Sequence, residues 1–423
     1  MNNGLNVLLV GSGSREAALA WKIMQSPLLN RLFVAPGIGN AHELGVTNVY
    51  IAVNDVVGLI AFALQNKIDL IVVGPELPLT LGIADRARDA GIRVFGPTQA
   101  AAKIESSKTV AKEVMVAAGV PTARYRSFGD VGNAVAYVHH GNEFSYPLVV
   151  KADGLASGKG VRICRTVQEA ELWVREVMQA AGSRVVIEEF LQGREASLHA
   201  FCDGATFAAM PITYDYKFLG TAMTGGVGAW GTGLGFDDAA TNVLYEFFVG
   251  KPLHYMAENG IPFAGCFYPG TMLTLDGPRA LEDNARFGDP ETQVLMRLLI
   301  SDLLPILMAC AEGTLGEFLQ REVICWRQEY AVCVVLCAGG YPDADKLVLD
   351  QPITGFDLAV NIPDVEIFHG GTRYTDGVYY TAGGRVASVT AYADRKEVAR
   401  ARAYAAADLI QFDGKQYHPG IAA

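Results

Sequence analysis

Apolar residues fall in short, almost unbroken runs over the first hundred positions. "NVLLV" (6–10), "RLFVA" (31–35), "DLIVV" (69–73) and "IRVF" (92–95) each read as a strand covered on both faces. Stretches with helical spacing separate them. This alternation predicts a parallel sheet with helices on both sides. The pattern then changes. In "ESSKTVAKEVMVAAGVPT" (105–122), Val110, Val114 and Ala118 keep helical spacing, Ser106 or Ser107 offers a cap, and Gly119 with Pro121 ends the helix. "YPLVVKADGLASGKGVRIC" (146–164) reads as strand, glycine loop, strand. A helix over 167–181 and a strand, "SRVVIEEF", follow. A hairpin is expected around "CDGA" (202–205), an irregular glycine-rich loop over 214–236 and a helix over 239–258. Paired strands then turn at Asp276-Gly277, and helices fill 291–319. The last hundred residues mix strands with a final helix, and no internal repeat is visible.

Composition narrows the class. A chain of 423 residues suggests about three domains. The net charge of −11 makes it a poor match for a nucleic-acid backbone. No apolar run is long enough to span a membrane, and the opening "MNNGLNVLLVGSG" has no basic segment typical of a signal peptide. A cytoplasmic location is expected. The seven cysteines form no C-x-x-C pair and read as small buried hydrophobes in a reducing compartment.

Three segments carry candidate chemistry. "KADGLASGKG" (151–160) is not a Walker loop. Gly154 to Gly158 is one residue short, Gly160 stands where Ser or Thr would hold magnesium, and a strand follows in place of a helix. A glycine-rich loop between antiparallel strands acts instead as a lid whose amides bond triphosphate oxygens. Lys151 on the preceding strand then reaches the α and β phosphates. "GSGSREAA" (11–18) follows a strand and opens a helix, but Glu16 stands where a dinucleotide fingerprint needs a small residue and is expected to crowd helix–sheet packing. A phosphate monoester at the helix N-terminus, met by Arg15, remains compatible. In "LEDNARFGDPETQ" (281–293), Glu282 and Asn284 alternate on a strand and share a face. A carboxylate and an amide oxygen suit magnesium bound to nucleotide phosphates. Arg286 shares that face and can neutralise a transferred phosphoryl group or a carboxylate.

Together these segments resemble the ATP-grasp superfamily, and within it the phosphoribosylamine–glycine ligase family. The resemblance also rests on "VAPG" (34–37), "IDLIVVGPELPL" (68–79), "VIEEFLQGREAS" (186–197), "AGGYP" (338–342), "FHGGT" (368–372) and "TAGGRV" (381–386), and so runs nearly end to end. It implies a multidomain α/β and α+β fold. An N-terminal Rossmann-like parallel-sheet domain (1–104) precedes an ATP-grasp double lobe (105–325, lid lobe about 123–193) and a C-terminal α/β domain (326–423). By resemblance, Lys108, Lys151, Gly154, Ser157, Gly158, Lys159, Glu188, Leu191 and Glu195 bind ATP, with Glu188 and Leu191 at the adenine hinge and Glu195 at the ribose. Glu282 and Asn284 hold Mg2+ or Mn2+, and Arg286 and Lys151 are catalytic. Substrates meet Gly11, Gly13, Arg15, Glu76, Asp215, Lys217, Gly225, Gly226, Gly288, Asp289 and Glu291. The chemistry implied is activation of a carboxylate as an acyl phosphate, then capture by an amine. The expected partners are small molecules, an amino acid and a phosphoribosylated amine, for a monomer or homodimer.

The chain departs from the family pattern at Ser14, Ala17, Val227, Trp230, Pro269, Thr271 and Asp283, and its 215–230 segment is shorter. These positions fall in segments that the resemblance turns toward the substrates, while the nucleotide and metal set stays intact. Three readings stay open on sequence alone. One is the glycine–phosphoribosylamine reaction, another is a diverged ligase with a different amine or amino acid, and the third is a non-catalytic ATP-binding module.

Overall fold

The computed structural model describes residues 4–155, 160–220, 222–235 and 238–423. Ser157, Gly158 and Lys159 of the expected lid loop lie outside these. The first sheet has five parallel strands in the order Thr47–Asn48, Leu29–Pro36, Leu5–Gly11, Leu70–Val73, Arg93–Phe95. Its central strand explains the unbroken apolar run. Val7 and Leu9 enter one hydrophobic core while Leu8 and Val10 enter the other. In this order the crevice for ligands opens between the strands Leu5–Gly11 and Leu70–Val73, at their carboxyl ends.

That crevice is filled by Glu16. The side chain does not crowd the helix against the sheet, as the sequence suggested, because two glycines make room for it. A Cβ on Gly11 (φ +135) would lie 2.4 Å from Glu16 Cδ, and one on Gly74 2.0 Å from Oε1. The carboxylate turns back to accept the Gly13 amide at 2.7 Å and the Arg15 Nε–H at 2.7 Å. A dinucleotide pyrophosphate has no space there.

A small antiparallel sheet of four strands forms a separate lobe, in the order Tyr125–Phe128, Val185–Glu189, Leu148–Ala152, Val161–Cys164. Leu148, Val150, Val185 and Ile187 pack with Trp173 and Val174 of the helix Val167–Val177. The alternate residues Lys151 and Glu188 therefore point the other way, toward the large lobe.

The large lobe is built on a ten-stranded antiparallel sheet. The expected loop over 214–236 is in fact a hairpin of this sheet, Thr213–Leu219 against Ala222–Thr232, with Tyr214 opposite Trp230 and their rings stacked at 4.5 Å. Its glycines serve close approach. A Cβ on Gly226 would lie 2.2 Å from Pro290 Cδ and 2.7 Å from the Asp289 carbonyl, and one on Gly228 2.4 Å from Ile421 Cδ1. Gly226→Ala is therefore expected to push the Asp289-Pro290 turn away from the hairpin. The expected loss is about 1–3 kcal/mol in chemical denaturation, the usual cost of overpacking.

The strand Ala222–Thr232 also pairs with Tyr330–Cys337, which continues through Arg385–Ala393 to Val365–His369. The last hundred residues thus extend the same sheet, covered by the helix Lys396–Leu409. Of the seven cysteines, six are buried as expected, but Cys325 is exposed. No helix among the described residues is long and apolar enough to cross a membrane.

Candidate active site

The space between the small lobe and the large sheet collects the charged residues singled out in the sequence. The helix Lys108–Ala117 starts beside Asp153 and Gly154. Ser107 Oγ caps it by accepting the Val110 amide at 3.2 Å, and Asp153 accepts the Thr109 amide at 3.3 Å. Lys108 Nζ donates to the Gly154 carbonyl at 3.0 Å. Gly154 has φ +148, a conformation suited to glycine.

Lys151 is buried, donates to the Leu281 carbonyl at 3.0 Å and pairs with Glu188 Oε1. The other carboxylate oxygen of Glu188 lies 2.6 Å from Lys112 Nζ in a second buried ion pair. Burial alone would raise the Glu188 carboxyl. Lys112 and Lys151 outweigh it and hold the group below its ordinary value. Leu191, placed beside Glu188 at the hinge by resemblance, lines a different cavity of about 690 Å³ with Arg124, Phe144 and Arg279. Lys108, Lys151, Glu188 and Glu195 do not line that cavity.

On the facing sheet, Lys217 gathers three carboxylates. It pairs with Glu195, lies 3.6 Å from Asp215 and 3.9 Å from Glu282. Burial raises Asp215 to about 6, with Lys217 opposing and the neighbouring Glu291 and Glu282 adding to the rise. Glu282 goes the other way. Burial would raise it, but Lys217, Lys108, Lys151 and Arg286 bring it down to about 2. It stays ionised, and Asn284 Oδ1 is oriented beside it by Arg286 at 3.3 Å. An ionised carboxylate and an oriented amide oxygen fit a hard cation shared with phosphate oxygens. Among the described residues no group of three or more His, Cys, Asp or Glu could hold a metal alone.

Arg286 is the hub on the other side. It reaches Glu105 at 3.1 Å, Glu76 at 3.6 Å and the Phe287 carbonyl at 3.2 Å. Burial opposes its charge, yet Glu105 and Glu76 raise its pKa further. Arg15 is buried too, committed to Glu16 and to the Phe287 carbonyl at 3.1 Å. It ties the first helix, Ser14–Ile23, to the "RFGD" segment and does not line the 830 Å³ cavity between that helix and the last domain.

That cavity, about 830 Å³, opens between the first helix turn and the last domain. Ser12, Gly13 and Ser14 line one wall; Asp289, Arg373 and Arg385 line others. Arg385 donates to Asp289 Oδ2 at 2.8 Å and to the Gly226 carbonyl at 3.3 Å, so it joins the hairpin to the Asp-Pro turn. Gly225 sits beside it, its absent Cβ 3.4 Å from the Tyr341 hydroxyl. Gly288 leaves no room for a side chain between Glu291 and His199. Glu291 accepts the Tyr268 hydroxyl at 2.5 Å.

Sequence reasoning missed Lys112, Glu105, Tyr268, His199 and Arg385. His199 is fully buried, stacked on Tyr268 at 4.0 Å, and neither ring nitrogen has a hydrogen-bond partner among the described residues. Burial, reinforced by Arg286, lowers its pKa to about 3. The unfolded chain then binds a proton near pH 6.5 that the folded chain refuses until about pH 3. Stability present above pH 6.5 is lost as pH falls through this window, by up to about 1.4 kcal/mol per unit. His199→Phe should flatten the fall of the melting midpoint between pH 7 and pH 4.

Most departures from the family pattern are buried in the packing around the site. Ala17 and Val227 are fully buried in the main core. Trp230 stacks on Tyr214, Thr271 donates to the Ala196 carbonyl at 2.9 Å, and Asp283 is buried. Of the departures, only Ser14 lines the 830 Å³ cavity.

Family models for phosphoribosylglycinamide synthetase match in three consecutive parts: the N domain over 5–105, the ATP-grasp (A) domain over 106–292 and the C domain over 331–423. The chain belongs to the phosphoribosylglycinamide synthetase family. The family's curated relatives include the phosphoribosylamine–glycine ligase of Brucella melitensis, 42% identical over 99% of this chain and 97% of that protein. That of Vibrio vulnificus is 41% identical over 97% and 96%. The crystal structure of the Thermotoga maritima phosphoribosylamine–glycine ligase superposes with TM-score 0.81 at 32% identity, covering 98% of this chain and 99% of that one. Outside the synthetase family, biotin carboxylase from Campylobacter jejuni shares the fold, with TM-score 0.71 at 16% identity over 98% of this chain and 93% of that one.

Proposed function

We propose that the protein is an ADP-forming ligase that joins glycine to 5-phosphoribosylamine in purine biosynthesis, in the cytoplasm. The observation that carries this reading is the likeness to phosphoribosylamine–glycine ligases over nearly the whole length of both chains. The charge arrangement supports it. ATP lies between the lobes with its phosphates toward Lys108, Lys151 and the lid loop, and its ribose toward Glu195. Glu282 and Asn284 would hold Mg2+, which when bound neutralises phosphate charge. Division of the chain at about 104 and 325 then gives each lobe a task.

Arg286 takes the glycine carboxylate and aligns it with the γ-phosphate. Phosphoryl transfer needs this alignment and charge neutralisation more than covalent help. Attack by the carboxylate oxygen releases ADP and leaves an acyl phosphate, which the closed lid shields from water. The amine then attacks the acyl carbon and phosphate departs. The 830 Å³ cavity offers the amine its place. Amides at the start of the first helix, with Arg373 and Arg385, suit a phosphate monoester.

The test is ADP release with ATP, magnesium and glycine, with and without freshly generated phosphoribosylamine. Release that needs both, with glycinamide ribonucleotide detected by mass, is the expected result. ATP binding with no turnover would overturn the reading.

A further inference from the structure

Lys112 has no place in the chemistry above. It lies one turn beyond Lys108, only 1% exposed, on the side of its helix that packs inward. Its ammonium meets Glu188 Oε2 at 2.6 Å and donates to Thr122 Oγ1 at 2.7 Å. Thr122 in turn donates to the Ala280 carbonyl at 2.7 Å, which pins this end to the strand Gly277–Asn284. Glu188 thus has two cations, Lys112 on one oxygen and Lys151 on the other. Both pairs are buried.

Lys151 has a second duty under the proposed function, on which this inference rests: it must face the phosphates of ATP. To do so its ammonium has to loosen from Glu188. A buried carboxylate stripped of its only cation is strongly unfavourable. We propose that Lys112 is a positioning residue for nucleotide binding: it keeps Glu188 compensated, so that Lys151 is free to turn to ATP. Lys112 never touches the nucleotide and acts only through Glu188. The carboxylate that Lys112 meets within ion-pair distance is that of Glu188.

The experiment compares MgATP affinity, ATP KM and kcat in the parent, Lys112→Met, Glu188→Gln and the double variant, with Lys112→Arg and Lys151→Met as controls. Lys112→Met should weaken MgATP about tenfold or more while kcat changes much less. Lys112→Arg, which keeps the charge, should restore most of the affinity. In the Glu188→Gln background there is no carboxylate to compensate, so adding Lys112→Met should shift ATP affinity less than about twofold. Equal losses in both backgrounds would mean that Lys112 only packs, and would overturn the inference. So would unchanged affinity in Lys112→Met. A Lys151→Met control separates the two levels of the argument. If it leaves MgATP affinity intact, the assignment of Lys151 to the phosphates fails. If it weakens binding while Lys112→Met does not, the inference alone fails.

Discussion

Arg286→Ala is expected to lose turnover by about a thousandfold or more while MgATP still binds. In the proposed mechanism the guanidinium holds the glycine carboxylate in line with the γ-phosphate, and the removal of such a group from phosphoryl-transfer sites costs this much. A second effect follows from its partners. Arg286 lies 3.1 Å from Glu105, which is buried and whose carboxyl burial already pushes upward. Without the guanidinium, Glu105 and Glu76 lose their strongest countercharge, and Glu105 keeps the Ala285 amide at 2.7 Å. Stability should fall by up to about 3 kcal/mol. Arg286→Lys separates the two roles. It keeps a charge near Glu105 but loses the planar fork, so it should recover much of the stability and little of the rate. ADP release and urea denaturation on the same preparations check both. Full activity in Arg286→Ala would remove this residue from the mechanism.

The second large effect is expected at Glu282. Glu282→Gln keeps the shape and removes the charge. The magnesium concentration for half-maximal activity should rise by at least about tenfold to a hundredfold, the loss seen when even an outer-layer partner of a metal ligand is removed. The variant also takes one carboxylate from Lys217, so the remaining Glu195 and Asp215 compete for it alone. Magnesium titration of ADP release measures the shift. An unchanged half-saturation would place the metal elsewhere.

The parallel sheet was legible because its strands are buried on both faces, and a strand with Val7 and Leu9 in one core and Leu8 and Val10 in another has no polar positions to blur the signal. The strand pair of Glu282 and Asn284 was legible from alternation. The hairpin over 213–232 was not. Its glycines look like a loop in one dimension, and only the Pro290 ring and Ile421 pressing against Gly226 and Gly228 reveal why side chains are absent. Glu16 was misjudged for a related reason: the space it fills is made by Gly74, far along the chain. Lys112, Glu105 and Arg385 gain meaning from partners 76, 181 and 96 positions away. The one local hint for Lys112 was a lysine among the inward-facing positions Ala111, Val114 and Met115.

The sheet that passes from Ala222–Thr232 into Tyr330–Cys337 has a consequence for how this protein can be divided. The three family matches suggest modules that could be shuffled or produced apart. The hydrogen bonds do not respect that seam. A chain ending before Tyr330 would leave five residues, Gly228 to Thr232, with an open row of amides and carbonyls. Such a bare edge recruits other chains. The modules of its ancestry are thus welded into one unit of assembly.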